Sequence, residues 1–219
     1  MARKTALLVG ATGLVGGQLL NVLLANDEYE KVISISRRAL EMTDTKLQQH
    51  IVDFDQLDTY DDFFRVDTVF CALGTTMKQA KTKEQFVKVD FDYPLAVANL
   101  AKKNGVKQFF LVTAMGANQH SRIFYNQVKG NIEAAIKELS IPTFYIIRPS
   151  LLLGKRHETR FAEDLSQTIT NRLPSLFKGP LQKYKPNQAE AVASAMYKLS
   201  LSDEQGTFVI DSKLIEANK

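Results

Sequence analysis

A short apolar run, Ala6-Leu7-Leu8-Val9, leads straight into Gly10-Ala11-Thr12-Gly13-Leu14-Val15-Gly16, and apolar spacing of a helical kind continues from Gln18 to Leu24. A strand that ends in a glycine turn, with a helix starting at once, aims unpaired backbone N–H groups and the positive end of the helix dipole at one point. A pyrophosphate can sit there. In such a cradle Gly10 permits the tight turn, Gly13 lets backbone approach the phosphates and Gly16 lets the helix lie close on the strand. The spacing is G-x-x-G-x-x-G, a departure from the general G-x-G-x-x-G fingerprint. A glycine-rich turn without a ligand is the plainer alternative, but the strand before it and the helix after it favour the cradle.

The remaining punctuation alternates in the same way. Strand-like runs fall at Ala6-Val9, Val32-Ser36, Leu47-Val52, Thr68-Ala72, Gln108-Thr113, Thr143-Arg148 and Thr207-Ile210, with helical patterns at Leu14-Leu24, Gln56-Phe64, Lys83-Asn104, Tyr125-Leu139 and Gln188-Leu201. Asn104-Gly105 reads as a helix stop, and Pro94 as a kink or restart inside the third pattern. Strands separated by helices imply right-handed crossovers and a parallel sheet covered on both faces. The expected fold class is α/β, a doubly wound parallel sheet of the Rossmann type, whose ligand lies outside the carboxyl ends of the strands.

Composition narrows the setting. A chain of 219 residues with 45% hydrophobic and 24% charged content can bury a core without staples. Its single cysteine, Cys71, excludes an internal disulfide, fits a reducing compartment and reads as buried packing. With no leader-like segment and no run of 18 apolar residues, a cytoplasmic protein with no membrane partner is expected. The net charge of +4 comes from basic residues spread along the chain without aromatic interleaving, so nucleic acid is not an expected partner. His50, His120 and His157 show no metal-ligand spacing. A monomer or homodimer acting on a small molecule is expected.

Each strand exit then bears on the ligand. About twenty residues after Gly16, where an NAD-binding chain usually offers a carboxylate to the ribose 2′-OH, stand Ser36, Arg37 and Arg38 and no acid. A guanidinium fork suits a 2′-phosphate and Ser36 can add a donor, so NADP is favoured over NAD; an ordinary solvated arginine pair is the alternative. Asp53 could accept from an adenine amino group with Phe54 lining the base pocket, or Asp53 could simply cap the helix that follows. Ala72, Leu73 and Gly74 are small enough to lie along a ribose, though a tight turn explains Gly74 as well.

After the fifth strand delivers Thr113, Tyr125 and Lys129 follow at i and i+4 of a helix, on one face and within reach of one site. A tyrosine hydroxyl beside a lysine ammonium is suited to pass a proton to or from a substrate oxygen while hydride moves. Thr113 could hold that oxygen.

These segments together resemble an atypical short-chain dehydrogenase/reductase, most of all the Tat-interacting-protein-like NAD(P)-binding oxidoreductases, a group allied to the nitrogen-metabolite-repressor-like proteins. The resemblance runs from residue 5 to about 155. It is carried by the glycine turn, Cys71-Ala72-Leu73-Gly74-Thr75-Thr76, Val89-Asp90-Phe91-Asp92-Tyr93, Val112-Thr113-Ala114-Met115-Gly116-Ala117, Phe124-Tyr125-Asn126-Gln127-Val128-Lys129-Gly130 and Ile147-Arg148-Pro149-Ser150-Leu151-Leu152-Leu153-Gly154. It implies that Gly10, Thr12, Gly13, Leu14 and Val15 bind the phosphates, and Gly16 and Pro149 are counted with them as cofactor-binding. It also implies that Arg37 and Arg38 take the 2′-phosphate, Asp53 the adenine end, and Tyr125 with Lys129 the nicotinamide ribose and the reacting oxygen. Many relatives have a Ser-Ser pair where this chain has Thr113-Ala114. If the second position carries the third catalytic hydroxyl, that hydroxyl is missing here.

The chain therefore reads as one NAD(P)-binding domain over 1–219, with residues 150–186 as a small, loop-rich cap that includes Arg156, His157, Arg160, Phe161, Pro174, Gly179 and Pro180. So short a cap suits a small carbonyl or quinone. The implied activity is that of an NADP(H)-dependent oxidoreductase; a non-catalytic NADP(H) sensor or regulator, or an epimerase or dehydratase, are the alternatives.

Overall fold

The expected alternation folds around one parallel sheet in a computed structural model that describes residues 3–153 and 186–219. In chain order come β1 (Lys4–Val9), α1 (Leu14–Ala25), β2 (Tyr29–Ser36), β3 (Leu47–Ile51), a 3-10 stretch (Phe54–Phe64), β4 (Thr68–Cys71), α2 (Met77–Ala80) and α3 (Lys83–Val87). A π turn (Lys88–Asp92), α4 (Tyr93–Lys103), β5 (Gln108–Val112), α5 (Phe124–Glu138), β6 (Thr143–Arg148) and β7 (Leu152–Leu153) follow. Beyond the undescribed segment are β8 (Asn187–Gln188), α6 (Ala189–Ser200), β9 (Gly206–Asp211) and α7 (Ser212–Ala217).

The large sheet has the order β3-β2-β1-β4-β5-β6-β9, and every neighbouring pair in it is parallel. Strand order reverses between β1 and β4, which opens a crevice at their carboxyl ends. Successive residues of β1 serve opposite faces, as strand geometry requires. Ala6 and Leu8 join Val15, Leu19, Phe70, Phe110 and Met196 on one side, while Leu7 and Val9 join Ile35, Val97, Phe109 and Ile132 on the other. Both faces are thus buried over the inner strands, which is why β1, β4 and β5 read as largely continuous apolar runs while the edge strand β3 does not.

Three local features depart from the expected pattern. The helix anticipated at Gln56-Phe64 is a 3-10 stretch with non-helical backbone at Gln56 and Tyr60; four aspartates in it, Asp55, Asp58, Asp61 and Asp62, compete for backbone hydrogen bonds and disfavour a regular helix. The long pattern Lys83-Asn104 breaks into α3, the π turn and α4, with Pro94 in the first turn of α4. Pro94 can give no N–H to the carbonyl of Asp90, and the Tyr93 N–H bonds to the Lys88 carbonyl, one residue further back than in an α-helix. The β7–β8 pair, too short to show a pattern, joins Leu152 to Asn187 and Leu153 to Gln188. Asn104-Gly105 does end α4, with Gly105 at φ +70°. Most of the expected cap lies outside the described residues, including Arg156, His157, Arg160, Phe161, Pro174, Gly179 and Pro180.

Candidate active site

The glycine turn is built around close backbone contact. Gly10 has φ +96°, and a Cβ on it would stand 2.7 Å from the Ala72 carbonyl oxygen, so both its conformation and its contact with the β4 exit demand glycine. A Cβ on Gly16 would fall 2.1 Å from the Gly10 carbonyl oxygen, which is how α1 comes to lie against the turn. Gly13 is the N-cap of α1 and offers no side chain to the first N–H groups of the helix, leaving them to an outside acceptor.

A groove opens over this turn along the carboxyl ends of β1, β2 and β4. Its walls are Gly10, Thr12 and Gly13, then Ile35, Ser36 and Arg37, then Ala72, Leu73, Gly74 and Val89, with Phe54 and Tyr93 in ring contact, centroids 5.2 Å apart. No acidic residue is among them. Leu14, Val15, Gly16, Arg38, Asp53 and Pro149 stand outside that lining. Val15 is buried in the core beneath α1, and Pro149, also buried, accepts the Met115 N–H through its carbonyl at 2.9 Å. Asp53 takes up the capping alternative, its Oδ1 accepting the Asp55 N–H at 2.9 Å. The Ser36 hydroxyl donates to the Arg38 carbonyl, so that donor is committed to the turn itself, while the exposed Arg37 is among the residues that line the groove.

Tyr125 and Lys129 do share a face of α5. The Tyr125 ring is half-buried against Phe86, with centroids 5.6 Å apart. Lys129 turns inward: its Nζ is 2.7 Å from Oδ1 of Asp90, and the two side chains are 5% and 0% exposed. The other carboxylate oxygen of Asp90 accepts the Thr75 N–H at 2.9 Å. A Cβ on Gly74 would lie 3.6 Å from Asp90 Oδ1 and 3.7 Å from Lys129 Nζ. The ion pair therefore stands directly behind the groove wall. Burial holds the Asp90 carboxyl above the usual carboxylate range, and the Lys129 ammonium and the Thr75 N–H pull it back only in part. Motif reading missed Asp90 as a site residue; the available signal was an acid in the middle of an apolar helical stretch, four residues before a proline.

Thr113 corrects the sequence expectation. Its hydroxyl donates to Glu133 Oε1 at 2.6 Å inside a buried network, where Arg148 Nε and Nη2 also reach Glu133, at 3.0 and 2.5 Å. The carboxylate of Glu133 is 6% exposed on the side-chain scale, so it needs these donors, and Thr113 supplies one instead of facing a substrate oxygen. The next residue, Ala114, has no hydroxyl to offer.

Cys71 is fully buried in β4, and burial pushes its thiol up to about 12, consistent with packing and not nucleophilic use. His50 stacks on Phe63 at 4.1 Å, and among the described residues no group of three potential metal ligands occurs. No helix among them is long and apolar enough to cross a membrane. Directly after Lys129, a Cβ on Gly130 would stand 2.2 Å from the backbone of Asn118 and Gln119. Gly130→Ala is accordingly expected to destabilise the protein by roughly 1–3 kcal/mol, read as a fall of several degrees in Tm; an unchanged Tm would show that the 118–119 loop does not seat on α5.

Comparison with known proteins gives the family and the fold. The sequence model of the NAD dependent epimerase/dehydratase family matches residues 6–127, more than half of the chain. The chain belongs to that family. Protein HTATIP2 of Rattus norvegicus is 39% identical over 178 residues, covering 80% of this chain and 73% of that protein. Protein FMP52, mitochondrial, of Debaryomyces hansenii is 34% identical over 203 residues, covering 90% and 87%. With such relatives the chain falls in the atypical short-chain dehydrogenase/reductase group. Among solved structures, the Bordetella bronchiseptica enzyme WbmH in complex with NAD+ superposes with a TM-score of 0.73 at 15% identity, covering 96% of this chain and 76% of its own. UDP-glucose 4-epimerase of Thermotoga maritima with UDP-glucose gives 0.71 at 15% identity, covering 94% and 76%. At these identities the structures speak for the fold.

Proposed function

We propose that the chain is an NADP(H)-dependent oxidoreductase that reduces a small carbonyl compound or quinone. The observation that carries this reading is continuity. One groove runs from Arg37, past the backbone of Gly10 and Gly13, to Gly74, and the Lys129 ammonium stands immediately behind Gly74. The residues fit a dinucleotide: the cradle holds space that a Cβ would fill, and the uncapped start of α1 presents N–H groups to it.

Gly10, Thr12 and Gly13 would hold the pyrophosphate, Arg37 the 2′-phosphate, Phe54 the adenine side, and Lys129 the nicotinamide ribose. Hydride to the substrate carbon is the chemistry that bound NADPH would supply. Tyr125 Oη delivers the proton to the substrate oxygen, and its ring is held in place by Phe86. The preference for NADP rests on Arg37 together with the absence of an acid among the groove-lining residues. A cytoplasmic setting is part of this proposal, resting on the lone buried thiol.

Calorimetry tests the cofactor assignment. Wild-type protein is expected to bind NADPH more tightly than NADH, and Arg37→Ala to lose roughly ten-fold or more in NADPH affinity with little change for NADH. Arg38→Ala, outside the groove lining, should lose less. Equal affinity for the two dinucleotides, or an unaffected Arg37→Ala, would overturn the NADP assignment. A second reading, a non-catalytic NADP(H) sensor, is favoured by one observation: the Thr113 hydroxyl is committed to Glu133 and Ala114 carries none. It differs in having no turnover.

A further inference from the structure

Asp90 meets two groups that matter to the groove and stands behind a third. Its Oδ1 meets the Lys129 ammonium, its Oδ2 takes the Thr75 N–H, and Gly74, a wall of the groove, is bare of any side chain that could separate the pair from it. It is brought there by the π turn, which pulls the backbone out of α-helical register just ahead of Pro94. A buried ion pair contributes little net stability compared with apolar packing of the same volume, but removing one partner leaves the other charge stranded at high cost. The value of such a pair beside a groove lies in fixing where a charge stands.

We propose that Asp90 is the positioning residue of this site. It holds the Lys129 ammonium at one point and ties the Gly74-Thr75 floor to it, so that NADPH affinity and proton delivery by Tyr125 depend on Asp90 through Lys129. This inference rests on the oxidoreductase reading above. No contact between Asp90 and the reacting atoms is involved.

The test is a double-variant cycle in the full chain: Asp90→Asn, Lys129→Met and the two together. Each is read by calorimetric NADPH affinity, thermal unfolding, and kcat and KM with a substrate that the wild type turns over. The amide of Asp90→Asn keeps an acceptor for Thr75 and removes the charge. NADPH affinity is expected to fall roughly ten-fold or more, kcat to fall at least as far, and KM for the carbonyl or quinone to change by less than about three-fold. In the Lys129→Met background the same change should alter NADPH affinity by less than about two-fold, and the double variant should melt above Lys129→Met alone because the stranded carboxylate is gone.

If Asp90→Asn fails to fold, a double variant that folds and binds NADPH within about two-fold of Lys129→Met supports the proposal; failure of both to fold, or a further loss of affinity in the double variant, shows that Asp90 does not act through Lys129, and overturns it. Asp90→Asn that melts lower yet keeps wild-type affinity and kcat overturns it too, as does an equal loss of affinity in both backgrounds. Wild-type protein that takes up no NADPH defeats the functional reading and this inference together, an outcome recognisable before any variant is made.

Discussion

Gly13→Val is expected to yield a folded protein that no longer binds NADPH, a loss of roughly a hundred-fold or more, about 3 kcal/mol. The backbone of Gly13, at φ −85° and ψ 170°, is one that any residue can adopt, and a Cβ there meets the Gly10 carbonyl oxygen at 3.1 Å, a tight contact, and the Ala72 carbonyl oxygen at 3.9 Å, an ordinary one. A small shift accommodates it. The valine methyls, however, would stand over the first N–H groups of α1, in the groove itself. Gly16→Val makes the instructive contrast: its Cβ would strike the Gly10 carbonyl at 2.1 Å, so there the turn fails before binding can be asked about. Circular dichroism with calorimetry separates the two. A folded Gly13→Val protein that binds NADPH within a few-fold of wild type would mean that the phosphates lie elsewhere.

Tyr125→Phe is expected to cut NADPH-dependent turnover by roughly 10²–10⁴, the usual contribution of a positioned general acid, while leaving NADPH affinity within a few-fold. Only the hydroxyl is removed; the ring contact with Phe86 survives, and the seat of Lys129 against Asp90 is untouched. Because Thr113 is bound into the Glu133 and Arg148 network, Thr113→Val should act chiefly through stability, a different signature in the same assay. Turnover of Tyr125→Phe equal to wild type would remove Tyr125 from the chemistry.

What could be read from the chain before its structure follows the range of the interactions involved. The β1 turn and α1 were legible because their parts are adjacent in sequence and two of the glycines, Gly13 and Gly16, answer to Gly10 only a few residues away; the contact of Gly10 with Ala72 at the β4 exit was not. Arg37 was legible for a similar reason: β2 delivers it to the same crevice as β1, and the missing acid is visible in one dimension. Asp90 was not. Its partner is Lys129, on an element separated from it by a helix and a strand, α4 and β5, and the π turn that aims it depends on a proline whose effect reads from sequence merely as a kink. Thr113 was misread for the converse reason. Its position at the end of β5 was right, but the direction of its hydroxyl is decided by the buried Glu133 carboxylate on α5, whose need for donors is a tertiary fact. Asp53 offered two roles, and local geometry gave it the nearer one, the cap.

The most direct test of the account is the oxidation of NADPH by wild-type protein followed across aldehydes, ketones and quinones, with NADH run in parallel. Turnover of at least one of these classes, faster with NADPH than with NADH at equal subsaturating concentration by roughly ten-fold or more, is the predicted result. Tight NADPH binding with no turnover anywhere on that panel would contradict the oxidoreductase assignment and favour the sensor.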